Sequence, residues 1–163
     1  MPIGLKNLGA TCYANASLQV WFRDITFREG VYGCQPIGGS EEKFMESPIF
    51  QLQVTFAALQ ESIQKAFNPT KLVESLQLRT AEQQDAQEFS KLFMSHLDEE
   101  FKKQPNPQLK SLITDHFEGT QVYCTVCREC NYKSERSSNF LELEINFQRG
   151  SKTVFSRYWS PST

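Results

Sequence analysis

The sequence predicts an α+β fold, and three features carry that expectation. Apolar residues recur at three- and four-residue steps through the first two-thirds of the chain. Near residue 141 the step shortens to two. Between these regions stand Pro105, Pro107 and three cysteines, which break any continuous helical pattern. Helices followed by antiparallel strands make an α+β arrangement, within one small domain or part of a larger one.

Residues 4 to 23 open on a turn-rich stretch containing Gly4 and Gly9. A helix follows with Leu18, Trp21 and Phe22 on its inner face. Thr11 is the expected cap, which leaves Cys12 in the first turn. A second segment ends near Cys34, where Pro36, Gly38 and Gly39 mark a loop. Ile49, Leu52, Phe56, Leu59, Ile63 and Phe67 describe one long amphipathic helix over 49–67. Asn68-Pro69 ends it and opens a shorter helix carrying Leu72, Val73 and Leu76. The next helix starts at Thr80 or Asp85, each with Gln83 or Glu88 three residues on as in a capping box. Phe89, Leu92, Phe93, Leu97 and Phe101 form its expected buried stripe, which stops before Pro105. Gln121 to Thr125 reads as a strand. Leu141, Leu143, Ile145 and Phe147 alternate with polar residues in a half-buried strand. Residues 150–163 have no useful period.

Composition narrows the classes of function. The formal charge is -2, from 17 basic and 19 acidic residues, and gives no electrostatic reason for nucleic acid or an anionic membrane as partner. No apolar run approaches the length of a spanning helix, and the opening Met-Pro-Ile-Gly-Leu-Lys-Asn has no secretory pattern. Five cysteines in a chain with no export signal point to reduced thiols, metal ligands or a nucleophile in an intracellular setting, cytoplasmic or nuclear. The 13 phenylalanines are enough for a substantial core.

Cys12 is the first candidate for chemistry. A thiol attacks as its thiolate, a form that the unpaired N–H groups of a helix start favour. A small buried helix residue is the plain alternative. Asn7 stands five residues upstream across Gly9, so its amide could curl back and donate to an oxyanion forming beside the sulfur. Among Cys124, Cys127 and Cys130, the last two form half of a tetrahedral zinc site and need another pair. No Cys or His follows position 130. Cys124 as third ligand would strain the strand, and an iron–sulfur reading lacks a fourth thiolate. Cys34 has no partner in sequence and is expected to be inert.

The run Gly4-Leu5-Lys6-Asn7-Leu8-Gly9-Ala10-Thr11-Cys12-Tyr13-Ala14-Asn15 resembles the cysteine box of the ubiquitin-specific proteases, papain-like thiol hydrolases that cut ubiquitin from lysine side chains or other ubiquitins. Gln83-Gln84-Asp85-Ala86-Gln87-Glu88-Phe89 resembles the box on that family's thumb. The stretch from Phe117-Glu118-Gly119 through Cys127-Arg128-Glu129-Cys130 to Phe140-Leu141-Glu142-Leu143 resembles the start of its fingers and palm. Order and intervals fit over about residues 3 to 149.

The resemblance implies a papain-like cysteine peptidase, with a helical thumb over about 4–107, the first antiparallel strands of fingers and palm over about 117–149, and an irregular tail over 150–163. Cys12 is then the nucleophile and Asn7 the oxyanion donor, while Asp85 and Glu88 contact the extended, basic C-terminal tail of ubiquitin. Simple helix capping is the other reading of Asp85 and Glu88. The implied partners are ubiquitin or ubiquitinated proteins. Catalysis needs no cofactor, and zinc would be structural in a complete domain but is not expected in this chain alone. A papain-like hydrolase also needs a histidine base and a group to orient it. His96 borders a helix stripe and His116 precedes the Phe117-Glu118-Gly119 strand entry, and neither lies in anything like the family's glycine-rich histidine box. The chain is therefore expected to be an incomplete deubiquitinase domain. The rival expectations are a catalytically inactive ubiquitin-binding or interfering fragment, and a truncated product with an open strand edge liable to aggregate.

Overall fold

The computed structural model describes residues 3–142. It begins with a short strand, β1 (Gly4–Leu5), and the helix α1 (Cys12–Arg23). Asp24 accepts the Phe27 N–H at 3.0 Å and starts α2 (Ile25–Tyr32). A loop leads to α3 (Glu41–Met45) and then to α4 (Pro48–Glu61), with Pro48 at the first helical position and the Ser47 hydroxyl accepting the Phe50 N–H. After β2 (Ala66–Phe67) come α5 (Thr70–Ser75) and the long helix α6 (Ala86–Lys103). Two short helices, α7 (Pro107–Lys110) and α8 (Leu112–Phe117), precede an antiparallel ribbon of β3 (Gly119–Val126) and β4 (Lys133–Phe140). No helix among the described residues is long and apolar enough to cross a membrane.

Aromatic side chains bind the helices together. Trp21 of α1 stacks on Phe93 of α6 at 5.0 Å between ring centroids, and Phe93 stacks on Phe89 at 5.5 Å. Phe27 of α2 meets Phe56 of α4, Phe101 of α6 and Phe117 of α8 edge-on. Leu18, Leu52, Phe56, Leu97 and Phe101 are almost wholly out of water, which is the main stabilising term for such a bundle. The loop after α2 is tied by two amides. Gln104, itself buried at the end of α6, accepts the Gln35 N–H and donates to the Gln35 carbonyl. Gln53 donates to the carbonyls of Val31 and Cys34.

Several expectations need correction. The 49–67 helix stops at Glu61. Ile63 is 102% exposed, and Phe67 lies in β2, which pairs in parallel with β1 in the register Gly4↔Ala66. That pairing pulls the chain out of helical register. Asp85, not Thr80, caps α6. Leu92 is 67% exposed and Met94 is buried in its place. At about 100° per residue Leu92 falls on the far side from Phe93, Leu97 and Phe101. Two short helices, α7 and α8, fill the interval between residues 107 and 117 that the apolar spacing leaves unassigned. The polar run Lys133–Phe140 is a strand because β3 supplies its partner. In the alternating strand expected over 141–147, Leu143, Ile145 and Phe147 lie outside the described residues, as does the 150–163 tail.

Candidate active site

The loop before α1 is held at both ends. Gly4 and Lys6 donate backbone N–H groups to the Lys65 and Phe67 carbonyls at 3.0 and 2.8 Å. From α1, Asn15 donates to the Lys6 carbonyl and Gln19 to the Ile3 carbonyl, so the helix grips the strand that leads to it. Gly9 adopts φ +103°, in the left-handed region where glycine alone is comfortable. The Ala10 N–H then reaches the Thr80 carbonyl at 2.8 Å.

Cys12 is the first residue of α1 and is exposed. Thr11 sits at the capping position, but its side chain does not cap the helix, contrary to expectation. Its hydroxyl instead accepts the Leu8 N–H at 3.1 Å and donates to Asn7 Oδ1 at 3.0 Å. The Thr11 backbone N–H donates to the same oxygen at 3.2 Å. Asn7 is thereby folded back over the turn, four residues from Thr11 and next to the start of α1. Tyr13 packs edge-on against Phe89 at 5.2 Å, and its hydroxyl donates to Gln84 Oε1 at 3.4 Å. Burial, and then the neighbouring Cys12, push the Tyr13 phenol up, so it remains a donor.

These contacts align two helix starts. The beginning of α1 meets the beginning of α6 through Tyr13 and Phe89, and the last turn of α1 meets the middle of α6 through Trp21 and Phe93. Their N-termini therefore share one end of the bundle. Asp85 Oδ1 accepts the Gln87 and Glu88 N–H groups at 2.7 and 3.0 Å, a complete cap made with one carboxylate oxygen. Glu88 is exposed and makes no ion pair among the described residues.

The histidines are placed elsewhere. His116 Nε2 donates to Asp24 Oδ2 at 2.5 Å, linking α8 to the start of α2. Burial alone would raise the Asp24 carboxyl, but the Phe27 N–H and His116 outweigh it and hold the group below its ordinary value. His96 lines a groove of about 290 Å³ with Leu76, Leu78, Phe89 and Leu92, and its Nε2 is buried without a partner.

The remaining cysteines separate by environment. Cys34 is buried, its thiol facing the Gly30 carbonyl at 3.5 Å, and burial pushes it up to about 12. Cys127 and Cys130 are exposed in the tight turn that joins β3 to β4. The Cys127 N–H donates to the Tyr132 carbonyl, and Asn131 takes φ +55° to return its own N–H to the Cys127 carbonyl. Backbone N–H groups of Cys130 and Glu129, with the Cys130 thiol, lower the Cys127 thiol. The two thiols thus stand together at the exposed end of the ribbon. Among the described residues no group of three or more Cys, His, Asp or Glu side chains gathers there or elsewhere.

The Thr11 hydroxyl, the Gly9–Thr80 contact and the Tyr13–Gln84 bond were not anticipated. Only Thr11 had a local signal, an Asn four residues before a Thr across a glycine.

Comparison with known proteins identifies the family. A family model described as ubiquitin carboxyl-terminal hydrolase matches residues 3–157. The chain is 41% identical over 154 residues to ubiquitin carboxyl-terminal hydrolase 48 of Gallus gallus, and 44% identical over 151 residues to the protein of that name from Danio rerio. It is 34% identical over 150 residues to ubiquitin carboxyl-terminal hydrolase 26 of Oryza sativa. Each match covers 90% of this chain but only 14–15% of the relative's length.

Proposed function

Since the chain belongs to the ubiquitin carboxyl-terminal hydrolase family, whose fold is that of the papain-like cysteine peptidases, we propose that it forms the nucleophile-bearing part of a domain that hydrolyses the isopeptide bond at the C-terminus of ubiquitin. Residues 4–107 then correspond to the thumb and 117–149 to the beginning of fingers and palm. The observation that carries the proposal is the exposed Cys12 thiol at the start of α1, beside an Asn7 amide fixed by Thr11.

In this mechanism the Cys12 thiolate attacks the carbonyl carbon of the terminal glycine, and the carbonyl oxygen becomes an oxyanion. Asn7 Nδ2 donates a hydrogen bond to that oxygen, an interaction strongest in the transition state. The C–N bond breaks, the lysine amine takes the proton that a general base removed from the Cys12 thiol, and water then hydrolyses the thioester, freeing the ubiquitin carboxylate and restoring the thiol. Asp85 and Glu88 stand at the same end of the bundle as Cys12, where free carboxylate oxygens suit a basic, extended tail. Zinc, if bound, would be held by Cys127 and Cys130 together with two ligands from outside the described residues. It would brace the ribbon and take no part in the reaction.

A second reading is favoured by the histidines. His116 is engaged by Asp24, His96 lies in the α6 groove, and the sequence contains no other histidine. By themselves these 163 residues would then bind ubiquitin without turnover. A ubiquitin probe carrying a C-terminal electrophile separates the readings. Covalent labelling of Cys12, lost in Cys12→Ser, supports the hydrolase. Binding without labelling supports the second reading. Neither binding nor labelling overturns both. Asp85→Asn, which keeps the cap but removes the charge, should weaken ubiquitin binding if the tail role is right.

A further inference from the structure

We infer that Thr11 is a positioning residue, setting the polarity of the Asn7 carboxamide so that its N–H₂ end, not its oxygen, faces the oxyanion. The inference rests on the reading of Asn7 and Cys12 given above and extends it to a residue that does not touch substrate. A carboxamide has two ends of nearly equal size and opposite electrostatic sense. Turned one way Asn7 donates to a developing negative charge; turned the other way it repels it.

Two donors from Thr11 decide the orientation. The backbone N–H can only donate and so favours the Asn7 oxygen, but at 3.2 Å it is the longer of the two bonds. The hydroxyl is committed in the same sense. It accepts the Leu8 N–H at 3.1 Å, and its single proton then points to Asn7 Oδ1 at 3.0 Å. Donors and acceptors in series polarise one another and strengthen the set. Thr11 is 0% exposed, so water cannot replace the hydroxyl. Asn7 Nδ2 makes no hydrogen bond among the described residues and is left to donate outward. The short strap from Leu8 to Thr11 is itself pinned by the Ala10–Thr80 bond.

Thr11→Val removes the hydroxyl at almost constant volume, while Thr11→Ser retains it. The orientation is read directly in the isotope-labelled chain from the scalar coupling across the hydrogen bond between Thr11 ¹⁵N and Asn7 ¹³Cγ. It should be present in the wild type and Thr11→Ser, and lost or averaged in Thr11→Val. The consequence is read by comparing the affinity of ubiquitin aldehyde with that of ubiquitin. The aldehyde adds the Cys12 sulfur to its carbonyl carbon and passes the thiol proton to the oxygen, so only it places the oxygen of a tetrahedral carbon at the oxyanion position. Thr11→Val should weaken the aldehyde by about 10- to 100-fold with ubiquitin affinity unchanged, and Thr11→Ser should restore it. A coupling that survives in Thr11→Val, or equal aldehyde affinity in wild type and Thr11→Val, overturns the inference. If ubiquitin itself does not bind the wild type, the proposed function fails; the coupling still decides whether Thr11 orients Asn7.

Discussion

Gly9→Ala tests how firmly the nucleophile loop is fixed, and its cost can be worked from geometry. At φ +103° a side chain is strained whatever space surrounds it, at about 1–3 kcal/mol. Space is also lacking. A Cβ built on Gly9 would lie 2.5 Å from the Thr80 carbonyl oxygen, a backbone atom that no rotamer change can move. Relief requires Thr80 to retreat, which breaks its 2.8 Å bond from the Ala10 N–H and forfeits about 0.5–1.5 kcal/mol. The stiffer unfolded chain returns only about 0.4–1 kcal/mol. The net expectation is a loss of about 0.5–4 kcal/mol, centred near 2, in urea unfolding, read as a shift in midpoint at constant slope. Gly38→Ala is the internal control, because Gly38 has φ +63° with nothing within 4 Å of the added carbon. It should lose only the backbone contribution, about 1–2 kcal/mol, less the same unfolded-chain return of about 0.4–1 kcal/mol. Equal losses at the two positions would refute the claim that contact with Thr80, beyond backbone conformation, fixes the loop.

Phe93→Ala removes the ring that stacks on both Trp21 and Phe89, and should cost about 3–5 kcal/mol in the same unfolding assay. A loss below that of an ordinary surface substitution would mean that α1 and α6 are joined in some other way. Asp24 predicts a pH dependence. Its folded carboxyl lies below its ordinary value, so its stabilising effect is full above about pH 4 and fades as pH falls through the lower folded value. Asp24→Asn should be less stable than wild type near neutrality and converge with it in acid; a constant difference across that range would exclude the linkage. Thiol titration with a disulfide reagent at pH 8 should modify Cys12, Cys124, Cys127 and Cys130 readily and Cys34 only on unfolding, since Cys34 is buried with its thiol raised to about 12.

Helices whose apolar spacing is matched by local packing were legible in the sequence. The inner faces of α1, α5 and most of α6 follow directly from the positions of Leu18, Leu72, Phe93 and Phe101. Periodicity failed where distant backbone took over. Ile63 and Phe67 continue the α4 pattern, yet pairing of Gly4 with Ala66 captures that segment as strand, and no local feature announces a partner sixty residues away. The polar Lys133–Phe140 gives no alternation to detect, because its ribbon is exposed along nearly all its length and hydrogen bonds to β3, not burial, define it. The short α7 and α8 lack the length for a helical period to stand out from the adjacent prolines.

The candidate site divides along a similar line. Residue types and spacing single out Cys12 and Asn7, and the family resemblance adds a tail role for Asp85, because each can serve its chemical role with its own side chain. What spacing cannot convey is orientation. Asn7 in a sequence is equally a donor and an acceptor, and becomes one only when two N–H or O–H groups converge on its oxygen. The same holds for Asp85, whose carboxylate has four acceptor sites but uses one oxygen for both N–H groups of the α6 cap, leaving the other available. Capping and ligand binding are therefore compatible uses of one side chain, and a substitution that preserves the cap is the one that can tell them apart. In both residues the atoms already engaged in folding determine which atoms remain for chemistry.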